Sequence, residues 1–183
     1  MITSNNKLII LTGVSAVGKS TFAEILKKKH NFKGSTSYCT RLPRENEKNS
    51  LHYHFISKND FENKIKDGFF LEYDKIFDNY YGTSKKDLEE TLSSHNIVMT
   101  LSIEGFLALK KHFKHNLIGV YLMPPNKEEL KKRLNLRNSS EKEIEKRLLN
   151  IYEQSAKESV FFDKVLAPDT VDNTVNNILQ LII

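Results

Sequence analysis

The stretch GVSAVGKS, from Gly13 to Ser20, spaces two glycines, a lysine and a hydroxyl group so that they can bind phosphate. It follows the apolar run KLIILTG and precedes the helical pattern KSTFAEILKKKH, the context that the motif G-x-x-x-x-G-K-[ST] needs. Glycines let the loop wrap around an anion, and the amides and the helix N-terminus donate to it. We predict that Lys19 contacts the β- and γ-phosphates of a nucleotide and that Ser20 binds Mg²⁺.

A phosphate-binding loop of this kind is compatible with a GTPase, an ATPase or a small-molecule kinase. A GTPase normally carries a separate N-K-x-D motif that reads the base, and the sequence contains none. The choice among these classes therefore depends on residues that could bind a phosphate acceptor. The predicted nucleotide-binding residues of the loop are Gly13, Val14, Ser15, Ala16, Val17, Gly18, Lys19, Ser20 and Thr21.

A second candidate anion site lies in STSYCTRLPRENE, where Arg41 and Arg44 stand on either side of a proline. Pro43 fixes its own φ and biases the residue before it toward an extended conformation. Two guanidinium groups on one stiff segment suit a phosphate monoester. The segment therefore indicates an acceptor that carries its own phosphate.

The elements that would position these residues alternate between strands and helices. The runs KLIILTG, NIVMTL, LIGVYLM and DKVLAP read as buried strands, and helical patterns lie between and after them. This alternation predicts a parallel sheet covered by helices on both faces. Between residues 35 and 83 the pattern changes to aromatic-rich strands, HYHFIS, FFLEYDKIF and NYYGTS, with one short helix, KNDFENKIKDG, which indicates a small inserted subdomain.

The composition fits one compact domain and argues against a membrane or secreted protein. The chain has 183 residues, of which 39% are hydrophobic and 28% charged, and no apolar run reaches the length of a membrane span. The start lacks the features of a secretory signal, and the single cysteine, Cys39, cannot form an internal disulfide. We expect a cytoplasmic protein that does not bind membranes, and both a monomer and a homodimer stay open.

The net charge of +5 can indicate nucleic acid or small phosphorylated ligands. The arginines are isolated along the chain, and the run from Lys27 to Lys29 falls at a predicted helix end, where cations are favourable. No recognition-helix, zinc-finger or RNA-binding motif is present. We therefore expect small nucleotides as partners and no nucleic acid.

Several motifs resemble those of guanylate kinases in both order and spacing, and the chain is identified as a member of that family. These motifs are GVSAVGKST, STSYCTRLPR, YHFIS, GFFLEYDKIFDNYYGTS, LMPPNKEELKKRL and SEKEIEKRL. The resemblance covers essentially the whole chain. It implies the transfer of the γ-phosphoryl group of ATP to GMP, with Mg²⁺, to give ADP and GDP in purine nucleotide metabolism.

The resemblance also implies an α/β fold of the P-loop kinase type in a single domain. Its parallel β-sheet core, flanked by helices, would comprise residues 1–34, 84–125 and 157–183. A small mixed α/β acceptor-binding subdomain would span residues 35–83, and a helical lid would span residues 126–156.

The acceptor-side residues match family positions that bind GMP. In these matches, two arginines and two tyrosines hold the phosphate of GMP, while Glu72 reads the base. One carboxylate can accept from both N1–H and the amine of guanine, whereas adenine would leave it unpaired. The predicted GMP-binding residues are Ser37, Arg41, Arg44, Tyr53, Glu72, Tyr81, Thr83 and Ser102.

The charged stretch LKKRLNLRNSSEKEIEKRLL resembles the family's lid. Arg137 and Arg147 match the arginines that close over the donor phosphates, and Arg133 is a weaker match. Arginines that arrive on closure would stabilise the transferred charge and exclude water. Together with Lys19 and Arg41, the two lid arginines Arg137 and Arg147 form the predicted catalytic set.

The sequence TLSIEG at residues 100 to 105 departs from the family pattern, which reads aspartate-x-aspartate-x-glutamine-glycine. Thr100 and Ser102 replace the two acids, and Glu104 replaces the glutamine. A strand that extended this far would place all three side chains on one face, where Glu104 could supply the lost charge. We expect weaker Mg²⁺ binding and looser base selection, with the phosphate site retained.

Three functions therefore stay open. The protein could be a GMP kinase, a kinase of the same fold with a shifted acceptor, or a guanylate-kinase-like binding module with little catalysis. The presence of Lys19 and Ser20 favours an enzyme, because binding modules of this family commonly lose the phosphate loop.

Overall fold

The structure is a computed structural model that describes residues 5–35, 37–43, 47–49, 53–76, 78–135, 144–145 and 148–182. Its strands are β1 Leu8–Thr12, β2 Ser37–Cys39, β3 Tyr53–Phe55, β4 Phe70–Ile76, β5 Asn79–Ser84, β6 Ile97–Thr100, β7 Leu117–Leu122 and β8 Lys164–Leu166. Its helices are α1 Lys19–Lys29, α2 Lys58–Lys66, α3 Lys85–Ser94, α4 Ile103–His112, α5 Lys127–Asn135, α6 Ile151–Ser159 and α7 Val171–Leu179.

The central sheet is parallel and has the strand order β6-β1-β7-β8. Strand β1 is buried along its whole length, and its side chains alternate between two apolar clusters. Ile9 and Leu11 pack with side chains of α1 and α7, whereas Leu8 and Ile10 pack with those of α3 and α4. The prediction of a parallel sheet covered on both faces is confirmed.

The second sheet has the strand order β3-β2-β5-β4, and it is mixed, because β2 is parallel to β3 but antiparallel to β5. The predicted aromatic-rich strands correspond to β3, β4 and β5, and the predicted short helix is α2, which begins after Ser57. The sequence patterns missed β2. It has only three residues, and no longer apolar or aromatic run surrounds it.

A third apolar cluster joins the phosphate loop to helical residues that lie between β7 and β8 in the chain. Ala16 of the loop packs with Leu130 and Leu134 of α5 and with Ile144 and Ile151. The helices of the predicted lid therefore contact the loop directly. The exact limits of the lid, the core and the acceptor-binding subdomain stay predictions.

Gly119 in β7 is a glycine because α4 packs tightly against the sheet. A Cβ atom at this position would lie 2.4 Å from one ring carbon of Phe106 and 3.0 Å from the ring of Phe162. Those two rings are themselves stacked, with centroids 4.1 Å apart, so neither can move easily. Close packing of α4 on β7 therefore depends on the missing side chain.

We expect Gly119→Ala to lower the free energy of unfolding by about 1–3 kcal/mol, because it overpacks this layer. Urea denaturation followed by circular dichroism measures the change. Gly34→Ala is the control, since the nearest side-chain atom to its added Cβ, in Lys27, is 3.4 Å away. Equal stability of both variants would show that the side chains around Phe106 can rearrange to accept the added methyl group at little cost.

Candidate active site

The loop between β1 and α1 has the shape that a phosphate cradle requires. Gly13 has a φ of 141° and Gly18 a φ of 105°, both in the region that favours glycine. A Cβ atom on Gly13 would also lie 2.4 Å from the backbone oxygen of Leu122, at the end of β7. These glycines therefore let the loop turn closely above the carboxyl ends of two neighbouring strands.

The beginning of α1 favours an anion. Gly18 is the N-cap, so no side chain there bonds the first amides of this helix, and its first turn lacks an acidic residue. The ammonium group of Lys19 lies over the loop and donates to the carbonyl oxygens of Gly13, at 2.6 Å, and Val14, at 2.8 Å. Backbone amides that no capping side chain bonds, together with a lysine at the same helix end, form a site of positive potential.

A cavity of about 560 Å³ lies beside this loop, between α1, the end of β6 and the second sheet. Ser20 and Thr100 line it on the side of the central sheet, and Ser37, Glu47 and Tyr53 line it on the other side. The structure therefore brings predicted residues of the donor site and of the acceptor site to one space.

Arg41 is fixed by two hydrogen bonds to Glu47. Its Nη1 and Nη2 donate to the two carboxylate oxygens at 2.5 and 2.7 Å, and Nη1 also donates to the carbonyl oxygen of Leu42 at 3.0 Å. Both charged side chains are mostly buried, with 14% and 16% of their surface exposed. The carboxylate of Glu47 raises the pKa of Arg41 further above its usual range.

Aromatic side chains enclose this ion pair. The guanidinium carbon of Arg41 lies 5.1 Å from the ring centre of Tyr53 and 5.5 Å from that of Phe55. Tyr81 packs edge-on against Tyr53, and the hydrogen bond that Arg41 donates to the hydroxyl oxygen of Tyr81 contributes to the raised pKa of Arg41. Burial raises the pKa of Tyr53, so its hydroxyl stays a hydrogen-bond donor at neutral pH. Arg41, Tyr53 and Tyr81 are thus brought together as predicted.

The predicted base-reading residues also meet. Glu72 and Thr83 are partners in the β4–β5 pairing, and the hydroxyl of Thr83 donates to Oε1 of Glu72 at 2.5 Å. Burial raises the pKa of Glu72, although the hydrogen bond from Thr83 opposes this shift. The other carboxylate oxygen, Oε2, lies 3.1 Å from the position that a Cβ of Gly105 would take. Glu72 therefore lies against the first turn of α4.

The stretch that lacks the family's aspartates does not form one strand face. Strand β6 ends at Thr100, which is exposed, and α4 begins at Ile103. Ser102 caps this helix, because its hydroxyl accepts a hydrogen bond from the amide of Gly105 at 3.2 Å. Glu104 is exposed on the first helical turn. The expectation that Glu104 reaches the site along a strand face is wrong, because the helix begins before it.

Three predicted arginines, Arg44, Arg137 and Arg147, lie outside the described residues, so their roles stay predictions. The weaker candidate, Arg133, is described: its Nε donates to Glu129 one turn earlier in α5 at 2.9 Å, and both side chains are partly exposed. This is an ordinary helical ion pair. It gives Arg133 no special connection to the cavity.

Glu47 is the residue of this site that the sequence patterns missed. It follows Arg41 by six positions, and nothing in the local composition distinguishes it from a surface acid. Only the spacing within the arginine motif could have indicated it. Among the described residues, no group of three histidines, cysteines or acids could hold a metal ion, and no helix is long and apolar enough to cross a membrane.

Comparisons with known proteins agree with this geometry. The family model described as guanylate kinase matches residues 5–183. Guanylate kinase from Helicobacter pylori is 40% identical over 178 residues, which cover 95% of this chain and 85% of that protein. Guanylate kinase from Prochlorococcus marinus is 38% identical over 183 residues and covers 98% of both chains.

Solved structures support the fold. The crystal structure of guanylate kinase from Anaplasma phagocytophilum aligns with a TM-score of 0.75 and 22% sequence identity, covering all of this chain and 87% of that one. Shikimate kinase from Bacteroides thetaiotaomicron aligns with a TM-score of 0.52 and 16% identity, covering 96% of this chain and 97% of that one. With the family match over nearly the whole sequence, the chain belongs to the guanylate kinase family.

Proposed function

We propose that this protein transfers the γ-phosphoryl group of ATP to GMP and gives ADP and GDP. The observation that carries the proposal is that one cavity is lined both by Ser20, at the phosphate loop, and by Ser37 and Tyr53 in the second sheet. Transfer between two nucleotides needs both phosphates in one space, close together and in line. Relatives that align over nearly the whole chain bear the name guanylate kinase.

On the donor side, the loop amides and Lys19 bind the β- and γ-phosphates of ATP. The hydroxyl of Ser20 is exposed on the first turn of α1 and lines the cavity, so it fits an Mg²⁺ ion held mainly by phosphate oxygens and water. The metal would neutralise part of the charge on the phosphate oxygens. Lys19 supplies a positive charge at the same place and orients the phosphates.

On the acceptor side, Arg41 and the hydroxyls of Tyr53 and Tyr81 hold the phosphate of GMP. Glu72 accepts hydrogen bonds from the guanine edge, and Thr83 fixes the orientation of its carboxylate. We further propose that Arg44, Arg137 and Arg147 add positive charge around the transferred group. Water exclusion on lid closure would then prevent hydrolysis of ATP.

A second candidate is a kinase of the same fold with a broader or shifted acceptor. The observation that favours it is the environment of Ser102. Its hydroxyl already caps α4, and it brings no negative charge to the base side of Glu72. The binding-module alternative has less support, because Lys19 keeps its position over the phosphate loop.

A coupled assay with ATP, Mg²⁺ and each nucleoside monophosphate in turn separates these candidates. Turnover that is highest with GMP supports the proposal, whereas higher turnover with another monophosphate supports a shifted acceptor. Nucleotide binding without turnover on any acceptor would support the binding module. A cytoplasmic location and a monomeric or homodimeric state stay predictions.

We expect Thr100→Asp combined with Ser102→Asp to preserve or increase GMP turnover and to lower the Mg²⁺ concentration needed for half-maximal rate. Thr100 is exposed at the cavity, so a carboxylate there can stay hydrated and contact the water around the metal. Aspartate is also as good an N-cap as serine, so α4 should keep its first turn.

Steady-state kinetics at varied Mg²⁺ test this double variant. The variant Thr100→Asn with Ser102→Asn is the control, since asparagine matches aspartate in size and as an N-cap without adding charge. A severe loss of turnover in the aspartate variant would show that the two hydroxyls have a specific role in the present site.

A further inference from the structure

We infer that Glu47 positions Arg41 and selects which edge of its guanidinium group faces the acceptor phosphate. Of the five N–H donors of an arginine, Glu47 takes one from Nη1 and one from Nη2, and the carbonyl oxygen of Leu42 takes the other from Nη1. These bonds occupy the Nη1–Nη2 edge and the hydrogen that points back toward the main chain. Glu47 therefore determines the orientation of the guanidinium group of Arg41.

The two donors that Glu47 and Leu42 leave lie on one edge, and the hydroxyl oxygen of Tyr81, which also accepts a hydrogen bond from Arg41, shares that edge until an acceptor phosphate takes its place. Nε–H and the second hydrogen of Nη2 lie on one edge of the planar group and point in parallel, which matches two oxygens of a phosphate. An arginine without Glu47 could present any of its edges. With Glu47 in place, only one complete edge is left for a bidentate contact, so less conformational freedom is lost when the acceptor binds.

The surroundings of the pair support a positioning role. Both side chains are mostly buried, and the rings of Tyr53 and Phe55 lie beside the guanidinium group. Glu47 also lines the cavity on the same side as Tyr53. A negative charge at this place is unfavourable for a phosphate dianion, so attraction to the substrate does not explain it. Orientation of Arg41 does.

This inference rests on the proposed function, because it needs an acceptor that carries a phosphate. The test is a double-mutant cycle with Glu47→Gln, Arg41→Gln and the variant with both changes. Glutamine keeps the size of the side chain but presents an N–H₂ group toward one guanidinium N–H, so the paired hydrogen bonds are lost.

We expect Glu47→Gln to raise the KM for GMP by about tenfold or more and to change the KM for ATP by less than about twofold. In the Arg41→Gln background, the same change at Glu47 should alter the KM for GMP by less than about twofold, because Glu47 acts through Arg41. Glu90→Gln, an exposed acid on α3, is the matched control and should leave both KM values unchanged.

Two results would overturn the inference. If charge alone mattered, Glu47→Gln would lower the KM for GMP, since a negative charge near the phosphate is removed. An equal rise in the KM for ATP, or a full effect in the Arg41→Gln background, would indicate a general structural role. If another nucleoside monophosphate is the better substrate, the KM for that substrate is measured in the double-mutant cycle. An error about the identity of the acceptor is then distinguished from an error about Glu47.

A measurement on the unaltered protein covers the case in which Glu47→Gln does not fold. Nuclear magnetic resonance of the arginine side chains reports the Nε–H group of Arg41, assigned with Arg41→Gln. We expect added GMP to shift this signal, while guanosine, which lacks the phosphate, leaves it in place. No shift with saturating GMP would contradict the assignment of this edge to the phosphate.

Discussion

Replacement of Lys19 with alanine should abolish phosphoryl transfer and leave the fold intact. The ammonium group lies over the phosphate loop, 2.6 and 2.8 Å from two of its carbonyl oxygens, and no other side chain of the loop carries a positive charge. Charge spreads over the phosphoryl oxygens during transfer, and the loss of one preorganised donor to such oxygens typically lowers kcat by about 10²–10³-fold.

The coupled assay at saturating ATP and GMP measures this loss, and circular dichroism shows whether the variant is folded. Lys28→Ala is a suitable control, because this lysine is on the same helix but its side chain is 75% exposed. Turnover within a few-fold of that of the unaltered enzyme would exclude the donor-site assignment, because a loss that small is no larger than the effect of removing a surface ion pair.

Glu72→Ala should raise the KM for GMP much more than the KM for ATP. The carboxylate is held by Thr83 and lies against the first turn of α4, on the acceptor side of the molecule. A charged hydrogen bond to a substrate contributes about 1.5–3 kcal/mol, which corresponds to a factor of roughly 10 to 150. Burial raises the pKa of Glu72, so removal of the carboxylate also removes a desolvation cost, and the variant should fold.

Initial rates with each nucleotide varied in turn give the two KM values. Glu62→Ala, an exposed acid on α2 in the same part of the chain, should leave both values unchanged. A larger rise in the KM for ATP than for GMP would show that Glu72 does not read the base.

Much of the fold could be predicted because burial of one face makes apolar residues recur with the period of the helix or strand. Every side chain of β1 is buried, and the helical spacing of Phe22, Ala23 and Leu26 marks the face of α1 that covers the sheet. The phosphate loop could be predicted for a related reason. Few residues other than glycine adopt the backbone angles of Gly13 and Gly18, so the chemistry is visible in the sequence itself.

The errors and omissions have physical causes as well. Alternation of polar and apolar residues continues from Thr100 to Glu104, so a strand pattern cannot show where the strand ends. The end is set by Ser102, which bonds the amide of Gly105 and thereby favours a helix start over a longer strand. The helix cap at Ser102 competes with continued strand pairing. The alternation of polar and apolar residues does not show which of these two conformations is more stable.

The role proposed for Glu47 could not be predicted from local patterns, because it depends on a contact between residues that are not neighbours in the sequence. Six residues separate it from Arg41, and neither lies in a helix where such spacing would imply contact. Gly119 is a similar case, since the ring that excludes a side chain there belongs to Phe106 in α4. Tertiary contacts of this kind become visible only when the packed elements are seen together.

Ala16 connects the phosphate loop to the helices that pack beside it. It is 6% exposed and packs with Leu130, Leu134, Ile144 and Ile151, so an apolar contact ties the tip of the loop to the neighbouring helices. A rearrangement of these helices would therefore also displace the loop backbone that we propose binds the triphosphate. In the proposed function, binding of the donor and closure of the lid are therefore coupled, and a bulkier residue at position 16 would disturb both.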